Sequence, residues 1–512
     1  MEVYRMSESH AGSRTGGLFA GGTGRAGLVL TAVILFLVSL FLRTYRLFSA
    51  PDIFGDEALY TAVANSILKS GVPICFNGPC LVHPPLFFYV QAAFLWLVGA
   101  ENVNLQTVFL ARVPTAIFGS LAVALVCLWM TKITNLKVGV ISAIVVMLEP
   151  YTLKFDRTGI LEALVLLFII SSLFFLWRGN DSGRMRDYGL AGLFFGLAIF
   201  TKELALFMTV CVLIYWFLTK YYLKVSVETK NLMVFFGVGL PWYVAYLVWG
   251  WWLGASTLLA NERYMLGRVL WLITDTGYTQ PGHIPFLADF MAALPFYAAT
   301  YVLVALSVPT CGFLLFREKS RTSLLLASWL LGSGVFFAVI GIHNPQFIIY
   351  IVTPAILVDC YALSKMPITS TAAFPSLGQG IDARKLSRYV LALGLIMLAL
   401  YNTGVWVHFY ANGTDSAFAQ AVTWIQVNLP AGTKIDANYI YAYFLPSYNV
   451  TDLRLYNSIC GQGIHYYIIS DRLIVTLDPK LYEYVIANGQ VVAHFQGFSM
   501  LQVYIYYLSD PP

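Results

Sequence analysis

Repeated stretches of apolar residues, many of them long enough to cross a membrane, dominate this sequence. A helix that spans the hydrocarbon core needs about 20 apolar residues, and helices satisfy their backbone polar groups internally where water is absent. The chain has 512 residues, of which 59% are apolar and 11% are charged, so too little polar surface remains to cover a soluble globule. We predict a mainly α-helical polytopic membrane protein with about 11–13 membrane helices. The candidate runs lie near residues 27–48, 84–100, 109–131, 138–153, 158–177, 187–201, 204–219, 231–252, 292–315, 322–341, 346–364 and 389–408.

The distribution of polar and apolar residues divides the chain into three parts. Residues 1–26 form a tail rich in Gly, Ser and Arg, and residues 27–408 form the membrane module. From residue 409 to 512 the pattern changes to short alternating strands and helical stretches, which predicts a small α/β domain. The predicted strands are Tyr466–Ile469, Leu473–Thr476, Val491–Phe495 and Leu501–Tyr506, and the predicted helices are Ala417–Asn428 and Pro479–Asn488.

Clusters of Lys and Arg predict the orientation of the chain, because positive charge is enriched in cytoplasmic loops. The tail and the basic loops are therefore expected inside, and the loop 49–83 and the domain 409–512 outside. Twelve runs conflict with the odd number of crossings that this requires, so the topology of residues 84–131 stays open. The net charge of +5 is dispersed over inner loops and does not indicate a nucleic-acid surface. The basic residues are Arg178, Arg184, Arg186, Lys220, Lys224, Lys230, Arg317, Lys319, Arg321, Arg384, Lys385 and Arg388.

Two cysteines of the first polar loop, Cys75 and Cys80, flank a turn-rich tetrapeptide. An oxidising compartment would permit a disulfide there. Sequence does not supply the geometry that a disulfide demands, so the pairing is left open.

An acidic pair, Asp56 and Glu57, lies in the same loop. Carboxylates at a membrane boundary are costly unless they are solvated or useful. Leu59, Val63 and Ile67 recur at helical spacing, which predicts a short amphipathic helix over 57–70 with Asp56 at its start. Asp56 is therefore either the cap of this helix or a reactive base, and the two roles are compatible.

An ordered set of motifs resembles the GT-C glycosyltransferases of family 39, which include protein O-mannosyltransferases and bacterial lipid A aminoarabinose transferases. The set covers most of residues 27–220 and fades beyond. It consists of Gly55-Asp56-Glu57-Ala58-Leu59-Tyr60, Ile67-Leu68-Lys69-Ser70-Gly71, His83-Pro84-Pro85-Leu86, Arg112-Val113-Pro114, Arg157 with Glu162, and Thr201-Lys202.

The resemblance implies transfer of a sugar from a polyprenyl phosphate, either dolichyl or undecaprenyl, to a hydroxyl of a protein, lipid or glycan at the outer membrane face, with inversion. An attacking hydroxyl must lose its proton, and a carboxylate within hydrogen-bond reach serves as general base. We assign this role to Asp56; Glu57 either raises the pKa of Asp56 by proximity or binds acceptor or metal. The compact C-terminal part favours a prokaryotic plasma membrane over the membrane of a eukaryotic O-mannosyltransferase.

The leaving lipid phosphate needs cationic stabilisation where water is scarce. Lys202 interrupts an apolar stretch that is too long for one span, which predicts a turn there and makes Lys202 the first candidate for the donor phosphate, with Arg157 the second. The alternatives are, for Lys202, an ion pair with Glu203 or a snorkelling membrane anchor and, for Arg157, a structural pair with Glu162.

Tyr60, His83 and Glu162 are candidate supporting residues, and a structural hydrogen-bonding role is favoured for His83. Asp56, Glu57 and His83 are also candidate ligands of a divalent metal, although no fixed ligand spacing is present and the cofactor stays open. Further residues could shape the donor or acceptor site without an assigned role: Asn261, Glu262, Arg263, Tyr264, His283, His343, Gln346 and Tyr350.

Two other functional classes compete with an enzyme. A transporter or flippase of lipid-linked sugars would also bury Arg157, Glu162 and Lys202 among helices, but it predicts broken helices repeated in both halves, and no such symmetry is visible. A non-catalytic membrane receptor would not require Asp56.

Overall fold

The computed structural model describes residues 24–75, 78–100, 102–225, 228–270, 285–340, 345–366, 383–413, 415–438, 440–452, 462–470, 479–497 and 502–511. Helices predominate up to residue 411, as predicted. They are α1 (Arg25–Thr44), α2 (Gly55–Ser70), α3 (Leu86–Leu97), α4 (Leu105–Leu110), α5 (Arg112–Ile133), α6 (Leu136–Leu148), α7 (Pro150–Phe155), α8 (Glu162–Ser182), α9 (Met185–Thr201), α10 (Phe207–Phe217), α11 (Thr229–Gly239), α12 (Pro241–Leu270), α13 (Pro285–Phe313), α14 (Arg321–Val339), α15 (Ile349–Lys365) and α16 (Ala383–Trp406).

Nine helical segments within these described ranges are long and apolar enough to cross a membrane. Two predicted runs, near 84–100 and 138–153, form helices of only 12 and 13 residues. At 1.5 Å per residue these helices are about 18–20 Å long, which is shorter than the hydrocarbon core of about 30 Å. The predicted runs are therefore more numerous than the helices that can span by length alone.

Close contact between α9 and α11 depends on two glycines one helical turn apart, Gly192 and Gly196. A methyl group on Gly192 would overlap the carbonyl oxygen of Phe235 in α11. One on Gly196 would lie 2.8 Å from the carbonyl oxygen of Gly239 at the end of α11 and would also overlap the Trp242 ring of α12. Small residues at such spacing let membrane helices approach backbone to backbone, where van der Waals contact replaces the hydrophobic effect as the source of stability.

The C-terminal domain is the predicted α/β unit, built on one five-stranded sheet. The strand order is β4-β3-β5-β7-β6, with β3 parallel to β4 and β5, and β7 antiparallel to β5 and β6. Short strands β1 (Ile74–Cys75) and β2 (Gly78–Pro79) precede it in the first polar loop. The domain elements are α17 (Ala417–Asn428), β3 (Lys434–Ala437), α18 (Ile440–Phe444), β4 (Asn449–Asp452), β5 (Tyr466–Ser470), α19 (Pro479–Asn488), β6 (Gln490–Gln496) and β7 (Gln502–Tyr507).

Both helices predicted in this domain are confirmed, as are three of its strands. The predicted strand Leu473–Thr476 lies outside the described residues, and β3 and β4 are additions that the sequence analysis missed. Alternation along β5 explains the layering: Ile468 points into the core that contains α17, and Tyr467 and Ile469 point into the core that contains α19.

The larger core of the C-terminal domain is shared with the membrane module. Ile53, Ala58, Val108 and Phe109 of the module pack into the same cluster as Phe418 and its neighbours on α17. The side chain of Ile440 on α18 also contacts the first turn of α2, where Gly55 leaves the space. The domain therefore packs directly against the acidic loop.

Cys75 and Cys80 are joined by a disulfide, which agrees with the pairing that the sequence left open. The bond joins the last residue of β1 to the residue that follows β2, within the loop between α2 and α3. Cys127, Cys211, Cys311 and Cys360 are free and buried, as packing residues are.

We expect Gly192→Ala to lower the thermal unfolding temperature of the detergent-solubilised protein by several degrees, because the new methyl group forces α9 away from α11. A destabilisation of about 1–3 kcal/mol is typical of overpacking. Unfolding followed by intrinsic fluorescence measures it.

Gly237→Ala is the matched control on α11, because no described atom lies within 4 Å of a methyl group there. We expect its unfolding temperature to stay at or above the wild-type value, since alanine favours the helix. Equal destabilisation by both substitutions would contradict the close-contact explanation.

Candidate active site

The acidic pair lies in the first turn of α2. The helix extends from Gly55 to Ser70 and ends at Gly71, whose φ of 76° is the left-handed conformation that favours glycine. The predicted helix is thus confirmed, starting two residues earlier. Asp56 is not its N-cap, because that position belongs to Phe54, whose backbone N–H donates to Glu57 Oε1 at 2.7 Å.

Glu57 is fully buried and both of its carboxylate oxygens are engaged. Arg112 donates from Nε to Oε2 at 2.9 Å and from Nη2 to Oε1 at 2.7 Å, and the Gly159 N–H donates to Oε2 at 2.9 Å. This bidentate pair joins α2, the start of α5 and the loop before α8. The contacts favour a positioning role for Glu57 over a role as base or metal ligand.

Asp56 is the carboxylate that stays partly accessible. It is half-buried, one residue before Glu57, on a helix turn that Glu57 holds in place. The structure therefore separates two adjacent acids by environment. Asp56 remains the candidate base, and the fixed neighbour orients the turn that presents it.

Arg157 is also buried, with its guanidinium directed at backbone. It donates to the carbonyl oxygens of Leu42 at 2.6 Å, Tyr45 at 2.7 Å and Ala50 at 3.0 Å, and it lies 4.3 Å from the centre of the Tyr410 ring. These contacts anchor the chain as it leaves α1. They favour a positioning role for Arg157 rather than the predicted contact with the donor phosphate.

A second buried ion pair forms beside Arg157. Arg43 of α1 donates to Asp156 Oδ2 at 2.8 Å, and both side chains are inaccessible. Burial raises the pKa of Asp156 to about 6, and the Arg43 guanidinium opposes this shift.

Lys202 lies between α9 and the 3₁₀ turn Glu203–Leu206, at the predicted break in the apolar stretch. Its ammonium group pairs with Glu162 in the first turn of α8 and lies 5.0 Å from the centre of the Phe347 ring. Both alternative ion pairs, Lys202 with Glu203 and Arg157 with Glu162, are therefore wrong. Glu162 pairs with Lys202, and Glu203 pairs with His83.

His83 connects the Lys202 region to α2. Its Nδ1 lies 3.0 Å from Glu203 Oε1, and its ring meets the Tyr60 ring edge-on at 5.9 Å between centres. The structural role favoured for His83 fits this geometry. Through Tyr60 and His83, the helix that carries Asp56 and the turn that carries Lys202 belong to one packed region, as the hypothesis of one site requires.

An apolar cavity of about 330 Å³ opens beside this region, between α10, α12 and α14. Phe207, Val210, Val335 and Phe336 are among its walls, and Glu203 lies at its rim together with Glu262. A narrow apolar groove with a polar end suits a ligand that has a hydrocarbon chain and a polar head.

Three buried polar atoms in this part of the protein have no hydrogen-bond partner among the described side chains and backbone: Tyr350 Oη, Gln346 Oε1 and Glu262 Oε1. Of these residues, Glu262 lines the cavity, and the Tyr350 ring packs 5.6 Å from Phe207 on the cavity wall. Unsatisfied buried polar groups are rare and need an explanation. A polar ligand in the cavity would reach Glu262.

The candidate metal ligands are not gathered into a site. Glu57 is committed to Arg112 and Gly159, and His83 Nδ1 faces Glu203. In the part of the chain that is described, no three side chains of His, Cys, Asp or Glu come together as a ligand set. Within the described residues, Asp56, Glu57 and His83 therefore do not form a ligand set that fits a divalent ion.

Comparisons with known proteins concern the family and the fold. The family model described as dolichyl-phosphate-mannose-protein mannosyltransferase matches residues 82–251. The oligosaccharyltransferase of Archaeoglobus fulgidus superposes with a TM-score of 0.58 at 14% identity, covering 90% of this chain and 71% of that one. ArnT of Cupriavidus metallidurans superposes with a TM-score of 0.51 at 14% identity, covering 93% and 97%.

Over residues 82–251 the chain is similar to this family, and it shares the overall fold of the two solved transferases. The search of curated proteins found no match to the sequence. The GT-C fold was predicted from motifs in the first 220 residues, and the superposition extends it over most of the chain.

Two features of this candidate site escaped the sequence analysis. The partner of Glu57 is Arg112, and its Arg-x-Pro motif was recognised only as a likeness, because nothing in the spacing links residues 57 and 112. Lys154 in α7, whose ammonium lies 5.4 Å from the centre of the Phe155 ring, is a second cation three residues before Arg157. Its position beside Phe155, which packs edge-on to Phe54, is visible only in three dimensions.

Arg112→Gln should strongly destabilise the protein, because it leaves the Glu57 carboxylate buried without its charged partner. Breaking a buried ion pair from one side typically costs about 3–5 kcal/mol. Thermal unfolding in detergent measures the loss, and the double variant Glu57→Gln/Arg112→Gln should recover part of it.

Arg46→Gln is the control for a more exposed pair. Arg46 lies 2.7 Å from Asp415, whose side chain is 61% exposed, and exposed pairs contribute about 0–1 kcal/mol. Equal loss from Arg112→Gln and Arg46→Gln would contradict the structural importance of the buried pair.

Proposed function

We propose that this protein transfers a sugar from a polyprenyl phosphate carrier to an acceptor hydroxyl at the outer membrane face, with inversion at the anomeric carbon. The observation that carries the proposal is the contrast between the two acids of α2. Glu57 is saturated by Arg112 and by backbone N–H groups, and Asp56 is the partly accessible carboxylate on the same turn.

Asp56 acts as the general base. Its carboxylate takes the proton of the acceptor hydroxyl as the oxygen attacks the anomeric carbon, and the bond from that carbon to the phosphate oxygen breaks. One carboxylate and a single displacement are sufficient, which is why inversion is expected. Proton transfer of this kind typically contributes about 10²–10⁴ in rate.

The donor lies with its hydrocarbon chain in the apolar cavity and its phosphate beside Lys202. ArnT of C. metallidurans has been solved with undecaprenyl phosphate, and its fold is shared. The phosphate meets an ammonium group that Glu162 and the Phe347 ring already hold in place, so little reorganisation is needed as negative charge develops. Tyr350 Oη and Gln346 Oε1 are buried and have no hydrogen-bond partner among the described residues.

The basic loops of the sequence support an orientation in which the active site and the C-terminal domain lie outside the cytoplasm. In this orientation the carrier lipid reaches the cavity from within the membrane, and the acceptor reaches Asp56 from the side of the C-terminal domain. A prokaryotic plasma membrane remains the expected location.

Asp56→Asn should reduce sugar transfer by about 10²–10⁴ without loss of folding, because the amide keeps the shape of the side chain but is not a base. Transfer from radiolabelled undecaprenyl-phosphate sugars to a panel of hydroxyl acceptors measures the activity, and thermal unfolding confirms the fold.

Asp181→Asn is the matched control, since Asp181 is exposed at the opposite end of α8 from Glu162. It should transfer sugar at the wild-type rate. Full activity of Asp56→Asn would refute the proposed base and favour a transporter or receptor.

Lys202→Ala should raise the KM for the donor at least tenfold more than the KM for the acceptor, because the lysine faces the carrier phosphate. The loss of one charge also leaves Glu162 buried alone, so the double variant Lys202→Met/Glu162→Gln separates the two effects. Steady-state kinetics with both substrates varied give the two KM values.

A donor defect that persists in the double variant supports contact with the phosphate. Recovery of donor use in the double variant would show that Lys202 only neutralises Glu162. Lys69→Ala, an exposed lysine in the last turn of α2, is the control and should change neither KM.

A further inference from the structure

We propose that a groove on the C-terminal domain binds the saccharide chain of a glycosylated acceptor and leads it toward Asp56. This inference rests on the proposed function and adds the class of acceptor. The acceptor groove is lined by Phe48, Phe109, Gln420, Thr423, Trp424 and Phe495 and has a volume of about 530 Å³. Ligand sites of small molecules typically have volumes of about 300–1,000 Å³.

The groove forms where three elements meet. Its floor is the exposed face of α17, one wall is β6 with Phe495, and the other wall is the chain between α1 and α2 with Phe48. The Ser416 N–H donates to the carbonyl oxygen of Ser49 at 2.9 Å and fixes the start of α17 to that wall.

Aromatic rings supply the stacking surface. Four rings line the groove: Phe48 and Phe109 from the membrane module, and Trp424 and Phe495 from the C-terminal domain. An aromatic face binds the C–H face of a pyranose through dispersion and through the negative charge of its π-system. Repeated rings along a groove suit a chain of sugars better than a single one.

The polar side chains of the groove are arranged as hydrogen-bond acceptors. Gln420 donates from its amide to the Asp415 carbonyl at 3.0 Å, Thr423 donates its hydroxyl proton to the Ala419 carbonyl at 2.9 Å, and Asn428 donates to the Trp424 carbonyl at 2.8 Å. In each case a proton is used within the protein and the side-chain oxygen keeps lone pairs. The Asp415 carboxylate at the same groove accepts only.

A ligand rich in hydroxyl donors is complementary to this lining. A saccharide offers a hydroxyl at most ring carbons, whereas a phosphate offers mainly acceptors and would leave these side-chain oxygens without hydrogen bonds. The Asp415 carboxylate is itself paired with Arg46 at 2.7 Å. The groove therefore fits a neutral glycan better than a lipid headgroup.

The groove also borders the buried scaffold of the active site. The Phe109 ring lies 4.8 Å from the guanidinium carbon of Arg112, which holds Glu57 beside Asp56. Phe48 and Ser49 begin the chain that continues to α2. A saccharide in the groove would thus extend toward the turn that carries the base.

The test measures binding of fluorescently labelled tetrasaccharides of α-linked mannose, β-linked glucose and β-linked N-acetylglucosamine to the full-length protein in nanodiscs. The Asp56→Asn variant is the background, and no donor is added, so binding is read without turnover. We expect at least one tetrasaccharide to bind, and Trp424→Ala to weaken its affinity by about tenfold or more, as loss of a buried aromatic anchor does.

Trp252→Ala is the matched control, because Trp252 is 77% exposed on α12, away from the groove. It should leave the affinity unchanged. Binding of none of the three tetrasaccharides, equal binding with and without Trp424, or equal weakening by Trp424→Ala and Trp252→Ala would each overturn the inference. So would Trp424-dependent binding of a labelled Ser/Thr-rich peptide in the absence of saccharide binding, which would indicate a protein acceptor.

The catalytic role of Asp56 and the acceptor groove can be refuted independently. Sugar transfer by Asp56→Asn at the wild-type rate would refute the catalytic proposal, whatever binds in the groove. Loss of transfer in Asp56→Asn with tetrasaccharide binding that is indifferent to Trp424 would refute only the acceptor groove.

Discussion

The buried ion pair between Glu57 and Arg112 holds together the region in which the proposed chemistry takes place. It joins the first turn of α2 to the start of α5, and the Gly159 N–H adds the loop before α8 to the same carboxylate. Removing two charges from water is costly, and the pair is tolerable because every carboxylate oxygen receives hydrogen bonds. Arg157 acts in a similar way on the carbonyls at the end of α1. The buried cations Arg112 and Arg157 thus hold the polar loops in place through contacts within the protein, and not through contacts with a substrate.

This arrangement explains how neighbouring carboxylates can have different roles. Glu57 is buried and fully engaged by protein donors, so it belongs to the scaffold. Asp56 lies on the partly accessible side of the same turn. Lys202 shows an intermediate case, because it is neutralised by Glu162 and yet lies beside a cavity that contains unsatisfied polar atoms. A pair of this kind is rigid before a ligand arrives, which is what electrostatic stabilisation of a leaving group requires.

Much of the fold could be predicted because the signals are local. Apolar runs gave the membrane helices, Leu59, Val63 and Ile67 gave α2, and alternation gave β5 to β7. The strands β3 and β4 have only four residues each and were missed, since so short a pattern is indistinct from loop. The pairings of the site were the least predictable part. Lys202 takes Glu162 across 40 positions and His83 takes Glu203 across 120, and no spacing rule connects residues so far apart. Motif likeness identified the participants, and only the fold assigned the partners.

The mixed core under α17 limits how the two halves of this protein can evolve or be engineered. Ile53, Ala58, Val108 and Phe109 belong in sequence to the membrane half but in packing to the C-terminal half. A graft that exchanged only residues beyond 411 would therefore place foreign side chains against an unchanged apolar surface. Successful chimeras would need to carry the α1–α2 connection and α4 along with the sheet. The unit that packs as one core is therefore discontinuous in the chain.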